Sequence, residues 1–579
     1  MDRIHLLSRL WEYQDKYRHI SPEAIQQLAR EFSISDTEVA GVASFYHFFP
    51  SEHAGKYTIH LNDSILAQHR GYPEIKVAFE AATSTTLGAT STNQLFGLYR
   101  TPCIGLSDQE PSALINFSPF TRLTPIKVRK IVSALQQGQK PQDICDVVED
   151  QVHYHPVSER TVYFRSFEQG KALDTLKELS PEAVIERIKR SGLSGRGGAF
   201  YPTGLKWQHC NQYPGPRYIA CNADEGEPGT FKDRILMNQM PGLLIEGIIT
   251  AGYAVRAPEG IIYLRAEYRW LLPKLQRTLT AYQKMGWLGE NLPGKEPFDF
   301  NIRIQLGAGA YVCGEETAML ESMEGKRGEP RVREYFPVQK GFLNQPTVVN
   351  NVETLCGAAR VMELGADFFK SLGTWASTGT KLICISGDCA RPGIYEIEWG
   401  MPLRQLLQLC GANDPYIIQM SGPAGDTLNT DDLDRRICGE DLFCVGTLTV
   451  FNQQRDLLGI LKNFNDFFQQ ESCGTCTPCR IGNYLFGQKL EKIRKGYGDT
   501  EDIIALKEWD KVMKQTSRCG LGKTASNAII QAIEKFPDYF MQRIQQSNGV
   551  KSFDLERTVA DYDSIIKPKT DERASHDIY

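Results

Sequence analysis

Between residues 473 and 479 the chain reads Cys473-Gly-Thr-Cys476-Thr-Pro-Cys479, and a fourth cysteine, Cys519, follows forty residues later. Three thiols at a repeat of three with a distant fourth are the ligand pattern of a cubane iron–sulfur cluster, whose four corners need converging thiolates. Zinc also takes four thiolates, but its structural sites usually arrange them as two separated Cys-x-x-Cys pairs. Gly474 and Gly520 directly follow ligand candidates, where backbone must pass close to inorganic sulfide. The spacing favours the cluster over zinc, and electron transfer leads as the function.

The remaining composition narrows the classes. With 579 residues, 41% hydrophobic and 23% charged, the chain has room for several globular domains. A net charge of −5 and the lack of any Lys/Arg-rich run argue against a nucleic-acid footprint or a polybasic membrane patch. The first ten residues carry charges where a signal peptide needs its apolar core. Pro241 to Val255 is apolar but interrupted by Glu246 and too short to span a bilayer, so no membrane insertion is expected. Fifteen scattered cysteines, an odd number, suit a reducing cytoplasm rather than a disulfide framework.

Six segments follow from texture. Residues 1–55 read as helices: Ser21-Pro-Glu offers an N-cap hydroxyl, proline at N1 and an acidic first turn, and Ser35-x-x-Glu38 is a capping box. Residues 56–140 contain short apolar runs at 57–61 and 95–99, the mark of a small α/β unit, ending in the polar connection 137–142. Residues 141–375 alternate helices with strands expected at 261–265 and 301–305, as in a doubly wound sheet. Residues 376–452 are β-rich, 453–548 helical around the cysteine motif, and 549–579 a charged tail expected to be mobile or to dock on a partner. The fold class is multidomain, α/β and α+β.

Gly192-Leu-Ser-Gly195-Arg-Gly197-Gly198-Ala-Phe200-Tyr201-Pro-Thr-Gly204-Leu-Lys206 is the second signal. Closely spaced glycines let backbone N–H groups approach an anion and a lysine adds a point charge, so a phosphate-bearing cofactor is the natural occupant. It is neither a Walker loop nor a dinucleotide fingerprint, and a glycine-rich surface loop fits it equally. The carboxylate-rich segments Asn222-Ala-Asp224-Glu225-Gly-Glu227 and Gly314-Glu315-Glu316 could be a metal site, a heterocycle-orienting set or, first by ordinary expectation, a solvated face. His153 and His155 form a His-x-His pair more often incidental than metal-binding, and His209 is a possible pocket wall. Cys210, Cys221, Cys313, Cys356 and Cys384 have no mutual ligand spacing and read as small buried hydrophobes.

From about Ser191 to Gly522 these segments, with Glu324-Gly-Lys-Arg-Gly328, Pro346-Thr-Val-Val-Asn-Asn-Val-Glu-Thr354 and Glu471-Ser-Cys473, closely resemble the NADH-oxidising flavoprotein subunit of respiratory complex I and its relatives in NAD-linked hydrogenases and formate dehydrogenases. The resemblance implies a Rossmann-like FMN domain, a ubiquitin-like β-grasp domain and a C-terminal helical bundle with a [4Fe–4S] cluster on Cys473, Cys476, Cys479 and Cys519. It implies FMN held by Gly195, Gly197, Lys206, Asn222, Asp224, Glu225, Gly314, Glu315, Glu316, Asn350, Asn351 and Thr354. NAD is implied near Gly198, Tyr201, Glu227, Glu316, Arg333 and Phe336, with hydride transfer carried by the flavin and no catalytic side chain. Lys206 could stabilise the reduced flavin, contact a phosphate or form an ion pair. The chain departs from the family at Phe200, where a glycine is usual beside the nucleotide, and at Arg333, where a lysine is usual.

The N-terminal third, from Ile20-Ser-Pro-Glu-Ala24 to Val39-Ala-Gly-Val-Ala-Ser-Phe-Tyr46, resembles a second family, the thioredoxin-like iron–sulfur subunit that accompanies this flavoprotein. Where that family places four cysteines, this chain has Asn62, Ala67, Cys103 and Ser107. One thiol of four implies a domain without a [2Fe–2S] cluster, serving as scaffold or docking surface. The fusion of such a cluster-less domain to the flavoprotein is similar to the diaphorase subunits of soluble NAD-reducing [NiFe] hydrogenases, which implies an iron–sulfur subunit and hydrogenase subunits as partners. The NADH-handling subunit of a formate dehydrogenase is the alternative, and a non-catalytic electron-relay module, favoured by Phe200 and the lost cluster, is the alternative of another class.

Overall fold

A computed structural model describes residues 2–154 and 158–545. His155 and the expected tail at 549–579 lie outside the described residues.

The N-terminal helices Leu6–Tyr17, Pro22–Phe32 and Asp36–Phe45 begin where their caps predict: Ser21 accepts from the Ala24 N–H, and Ser35 with Glu38 closes a complete capping box. Their apolar faces pack mainly on the central unit, with Trp11 also meeting Phe117, in a turn of the sheet that follows them, at 5.2 Å between ring centroids. Leu6, Leu10, Leu28 and Val42 share a core with Ile261, Tyr263, Met319 and Leu320 of the central unit. The Trp11 indole donates to the Gly307 carbonyl at 3.0 Å, and the Tyr46 hydroxyl donates to the Lys326 carbonyl at 2.7 Å.

The thioredoxin-like unit is a five-stranded sheet in the order Ala89–Thr90, Phe96–Thr101, Tyr57–Asn62, Ala113–Ile115, Ser118–Phe120. Tyr57–Asn62 runs parallel to Phe96–Thr101 and antiparallel to Ala113–Ile115, and the helices Tyr72–Thr83 and Pro125–Gln136 cover the apolar side.

The central sheet takes the order Thr347–Asn351, Tyr218–Ala223, Glu259–Leu264, Phe298–Leu306, Gly289–Leu292. Its first four strands are parallel, so both faces must be covered. Helices Pro241–Val255 and Val352–Leu364 cover one face, and the N-terminal helices contribute to the other. Every residue of Pro241–Val255 except Pro241 is buried, which explains its near-membrane composition. Among the described residues no helix is long and apolar enough to cross a membrane.

The third sheet has six strands, Asp426–Leu428, Ile417–Met420, Thr447–Phe451, Thr380–Gly387, Gly393–Glu398 and Val152–Tyr154. The last is a correction to the segment boundaries: Val152–Tyr154, expected within the 141–375 unit, is an edge strand of this sheet, parallel to Gly393–Glu398. His153 belongs to it and stacks on Tyr395 at 4.6 Å between ring centroids, a packing role. The helices Leu457–Glu471, Thr477–Arg494, Thr500–Thr516, Asn527–Lys535 and Pro537–Gln545 complete the chain around their own core.

Candidate functional site: a glycine cradle beside a four-thiol cavity

The glycine-rich segment is a closed loop. Helix Pro181–Ser191 stops at Gly192, and Ser194 bridges Pro202. The Gly195 N–H donates to the Tyr201 carbonyl at 2.9 Å, delivering the chain into helix Thr203–Asn211. At Gly197 a Cβ would lie 2.8 Å from the Asn351 Cβ, so this contact between two motifs requires glycine. The Gly198 position opens on space.

Phe200 corrects an expectation. Its backbone takes φ +52°, turning the ring away from the loop and against Trp399 and Phe443 of the third sheet's unit, at 5.7 and 5.3 Å between centroids. The residue that replaces a family glycine therefore ties the loop to its neighbour. Arg196 supports it from below: wholly buried, it donates to the Ser194 and Thr378 carbonyls at 2.8 Å and lies over Trp399.

Short contacts bring the separate motifs together. The Asn222 amide donates to the Gly314 carbonyl at 2.9 Å, and the Arg196 N–H donates to the Thr354 hydroxyl at 2.9 Å. Lys206 donates to the Val349 carbonyl at 3.1 Å and pairs with Glu316 at 3.6 Å. Glu315 caps helix Glu316–Met323 by accepting from the Thr317 and Ala318 N–H groups at 2.9 Å, and its other oxygen faces Arg333 at 3.6 Å.

Not every expected contact faces this cradle. The Glu225 carboxylate accepts from the Asp233 and Arg234 N–H groups at 2.9 and 3.2 Å and from the Tyr268 hydroxyl at 2.8 Å, so it serves the protein rather than an open pocket. The Asn351 side chain caps Val352–Leu364, donates to Asp233 and accepts from Lys232. Asn350 accepts from the buried Trp207 indole at 2.8 Å. Asp224 and Glu227 differ. Asp224 keeps one buried carboxylate oxygen without a partner, and burial pushes its pKa up to about 8. Glu227 accepts from the Ala424 N–H at 3.0 Å and from the Tyr311 hydroxyl, and burial lifts it to about 7. An orphaned acceptor beside glycine backbone suits the donor groups of a bound heterocycle or its hydroxyls. Tyr201, Arg333 and Phe336 stand exposed at the rim, Phe336 at 62%. The Tyr201 hydroxyl contacts His209 at 3.2 Å.

All four predicted thiols line one cavity. Cys473, Cys476, Cys479 and Cys519 line it together with Val312, Pro330, Thr475, Arg518 and Leu521. Cys476 precedes helix Thr477–Arg494, and Cys519 precedes the turn Gly520–Thr524. Among the described residues no group of three Cys, His, Asp or Glu is close enough to hold a single metal ion; a cubane takes one thiolate at each iron corner and asks for a wider spread. Burial pushes the Cys479 thiol up to about 12, a cost that cluster binding must offset by taking the thiolate. The other five cysteines singled out are all buried.

The cavity and the cradle share a wall. Val312 belongs to the turn Tyr311–Gly314, which leads directly into Gly314-Glu315-Glu316. The Tyr311 N–H donates to Glu471 at 2.8 Å, two residues before Cys473.

Comparison with known proteins follows this division. Residues 188–360 match the Nuo51 FMN-binding domain, 459–543 the iron–sulfur binding region of NADH-ubiquinone oxidoreductase-F, and 1–136 the thioredoxin-like [2Fe–2S] ferredoxin family. The alpha subunit of the NAD-reducing hydrogenase HoxS of Cupriavidus necator is 43% identical, over 98% of this chain and 96% of its own. The chain belongs to the family of NAD-reducing hydrogenase alpha subunits. The F polypeptide of the NADH-quinone oxidoreductase of Aquifex aeolicus is 42% identical over 64% of this chain and 87% of its own. A crystal structure of an air-oxidised NAD⁺-reducing [NiFe]-hydrogenase superposes with a TM-score of 0.86 at 36% identity, covering 96% of both chains. The match to the hydrogenase alpha chain thus extends over this chain's whole layout, whereas the match to the quinone oxidoreductase leaves part of it uncovered.

Sequence reading missed two residues that organise the site. Arg234 and Arg265 are buried at 0% and 5% exposure; the sequence signal of Arg234 was the charged run Lys232-Asp-Arg234, and Arg265 showed only as a charge at the end of an apolar strand.

Proposed function

We propose that this chain is the diaphorase subunit of an NAD-reducing hydrogenase, exchanging a hydride between NAD(H) and FMN and single electrons with partner subunits through a [4Fe–4S] cluster. The observation that carries the proposal is the shared wall: one four-residue turn, Tyr311–Gly314, lines the thiol cavity and begins the carboxylate motif of the cradle. Full-length similarity to a hydrogenase alpha subunit supports this over a formate dehydrogenase component.

FMN, when bound, supplies conversion between an electron pair and single electrons. Binding and orientation fall to the chain. Gly198 offers unobstructed backbone, Gly197 lets the loop close on Asn351, Asn222 fixes Gly314, and Lys206 holds positive charge beside Glu316. Glu227, at about 7, can accept from or donate to the polar edge of a nucleotide near neutral pH. Tyr201 and Phe336 present rings at the rim, and Arg333 a guanidinium suited to phosphate. No side-chain base is required, since the chain serves to hold the two rings in register. Cys473, Cys476, Cys479 and Cys519 would hold the cluster.

The packing of Phe200 on Trp399 and Phe443 supports the enzyme reading over the relay-module alternative. A reducing cytoplasmic location belongs to the same proposal, supported by fifteen cysteines of which none is paired. The test is anaerobic co-purification with the native partners, followed by metal analysis and activity. Nickel with hydrogen-dependent NAD⁺ reduction is expected; molybdenum or tungsten with formate-dependent reduction would replace the hydrogenase partner.

A further inference from the structure

The thioredoxin-like unit reaches the segment around Glu225 with the loop of residues 102–108, which carries Cys103 and Ser107. Arg265 donates from one side of its guanidinium to the Cys103 carbonyl at 2.9 Å and from the other to the Glu225 carbonyl. Arg234 donates to the Gly105 carbonyl at 2.6 Å and forms a two-pronged pair with Asp108 at 3.0 and 3.1 Å. The backbone N–H of the same Arg234 holds the Glu225 carboxylate. Tyr268, whose hydroxyl donates to that carboxylate, lies flat under the loop: at Gly105, with φ +72°, a Cβ would stand 2.0 Å from the hydroxyl. Arg234, Arg265 and Tyr268 are all buried at 5% exposure or less.

Each of these three groups that grip Glu225 is therefore itself gripped by, or pressed against, the loop. Glu225 lies between Asp224, which keeps one buried carboxylate oxygen without a partner in a small cavity shared with Cys103 and Arg265, and Glu227, whose two oxygens accept from Ala424 and Tyr311. A shift of the Glu225 peptide would carry both with it.

We infer that the 102–108 loop of the thioredoxin-like unit positions the Glu225 peptide, and through it Asp224 and Glu227, for dinucleotide binding. Asp108, Arg234, Arg265 and Tyr268 are positioning residues. The inference rests on the flavin reading above and gives the unit a specific role, in which its loop clamps another unit's binding segment.

Asp108→Asn and Tyr268→Phe, each in the full chain with its native partners, test this by steady-state NADH oxidation with ferricyanide, FMN content and thermal melting. Loss of one such hydrogen bond should raise KM for NADH about fivefold with kcat changed less than about twofold and FMN retained. Asp108→Glu, which keeps a partner for Arg234, should restore most of the affinity. The inference is overturned if both variants keep the wild-type KM, or if they lose FMN and thermal stability while the remaining holoprotein shows wild-type KM. Should Asp108→Asn not fold, Tyr268→Phe, which removes one oxygen, decides alone. If the wild type binds NAD⁺ but does not oxidise NADH, the functional proposal fails, and the inference is still decided by whether the variants raise the Kd for NAD⁺.

Discussion

Two regions of this chain correspond to iron–sulfur families, and they have taken opposite courses. In the helical bundle four thiols border one cavity. In the thioredoxin-like unit the matching positions are absorbed into the fold. Asn62 is fully buried, accepts from the Ser64 N–H at 3.0 Å and donates to Glu110, which also accepts from Ser112 at 2.9 Å. Ala67 is buried, and the Cys103 thiol meets the Ser107 hydroxyl at 3.3 Å. At these positions the side chains satisfy one another within the fold. The bundle instead keeps four thiols around one cavity.

The strongest way to break this contrast is to remove a bundle thiol. Cys519→Ser should cost the cluster and lower hydrogen-dependent NAD⁺ reduction by more than about 100-fold, since no other group lining the cavity can replace a thiolate. NADH–ferricyanide activity, which bypasses the cluster, should persist. Unchanged iron content would contradict the ligand assignment.

Restoring the N-terminal ligands probes the other side. Asn62→Cys, Ala67→Cys and Ser107→Cys combined should lower stability by about 1–3 kcal/mol, because Glu110 loses a donor, and should bind no iron on anaerobic reconstitution. Iron uptake with a [2Fe–2S] spectrum would show that this site lacks only its thiols.

A smaller effect separates the two regions by pH. Burial raises Glu110 to about 8, against its ordinary 4.5. Its protonation thus contributes stability that is full below about pH 4.5 and lost as pH rises through about 8. Glu110→Gln should match the wild type at pH 5 and exceed it by about 1–2 kcal/mol at pH 8.5, read from chemical denaturation at the two pH values. Equal stability at both would mean that Glu110 ionises without cost.

Much of this was legible beforehand, for local reasons. Caps at Ser21 and Ser35 mark helix starts because hydroxyls and carboxylates satisfy free N–H groups within one turn. The thiol spacing forecast a convergence, and the four side chains do line one cavity. Whatever depends on partners distant in sequence was hidden. The amphipathic N-terminal helices showed that they have a buried side without showing that it meets the central sheet. Glu225 looked like its neighbour Asp224 until the donors of residues 233, 234 and 268 claimed it. Phe200 marked a departure beside the expected nucleotide without showing where its ring goes, because its left-handed backbone leaves no trace in residue type.

The three-residue strand Val152–Tyr154 has a consequence for dissecting the protein. It seals the Gly393–Glu398 side of the third sheet with chain drawn from the link between the N-terminal and flavin units. Removing residues 1–154 to obtain a minimal flavoprotein would leave that side with bare N–H and C=O groups along Ile394, Tyr395 and Glu396, an invitation to pair with another molecule. The natural cut is therefore ahead of residue 152, and a shorter piece should be expected to self-associate through this exposed ladder.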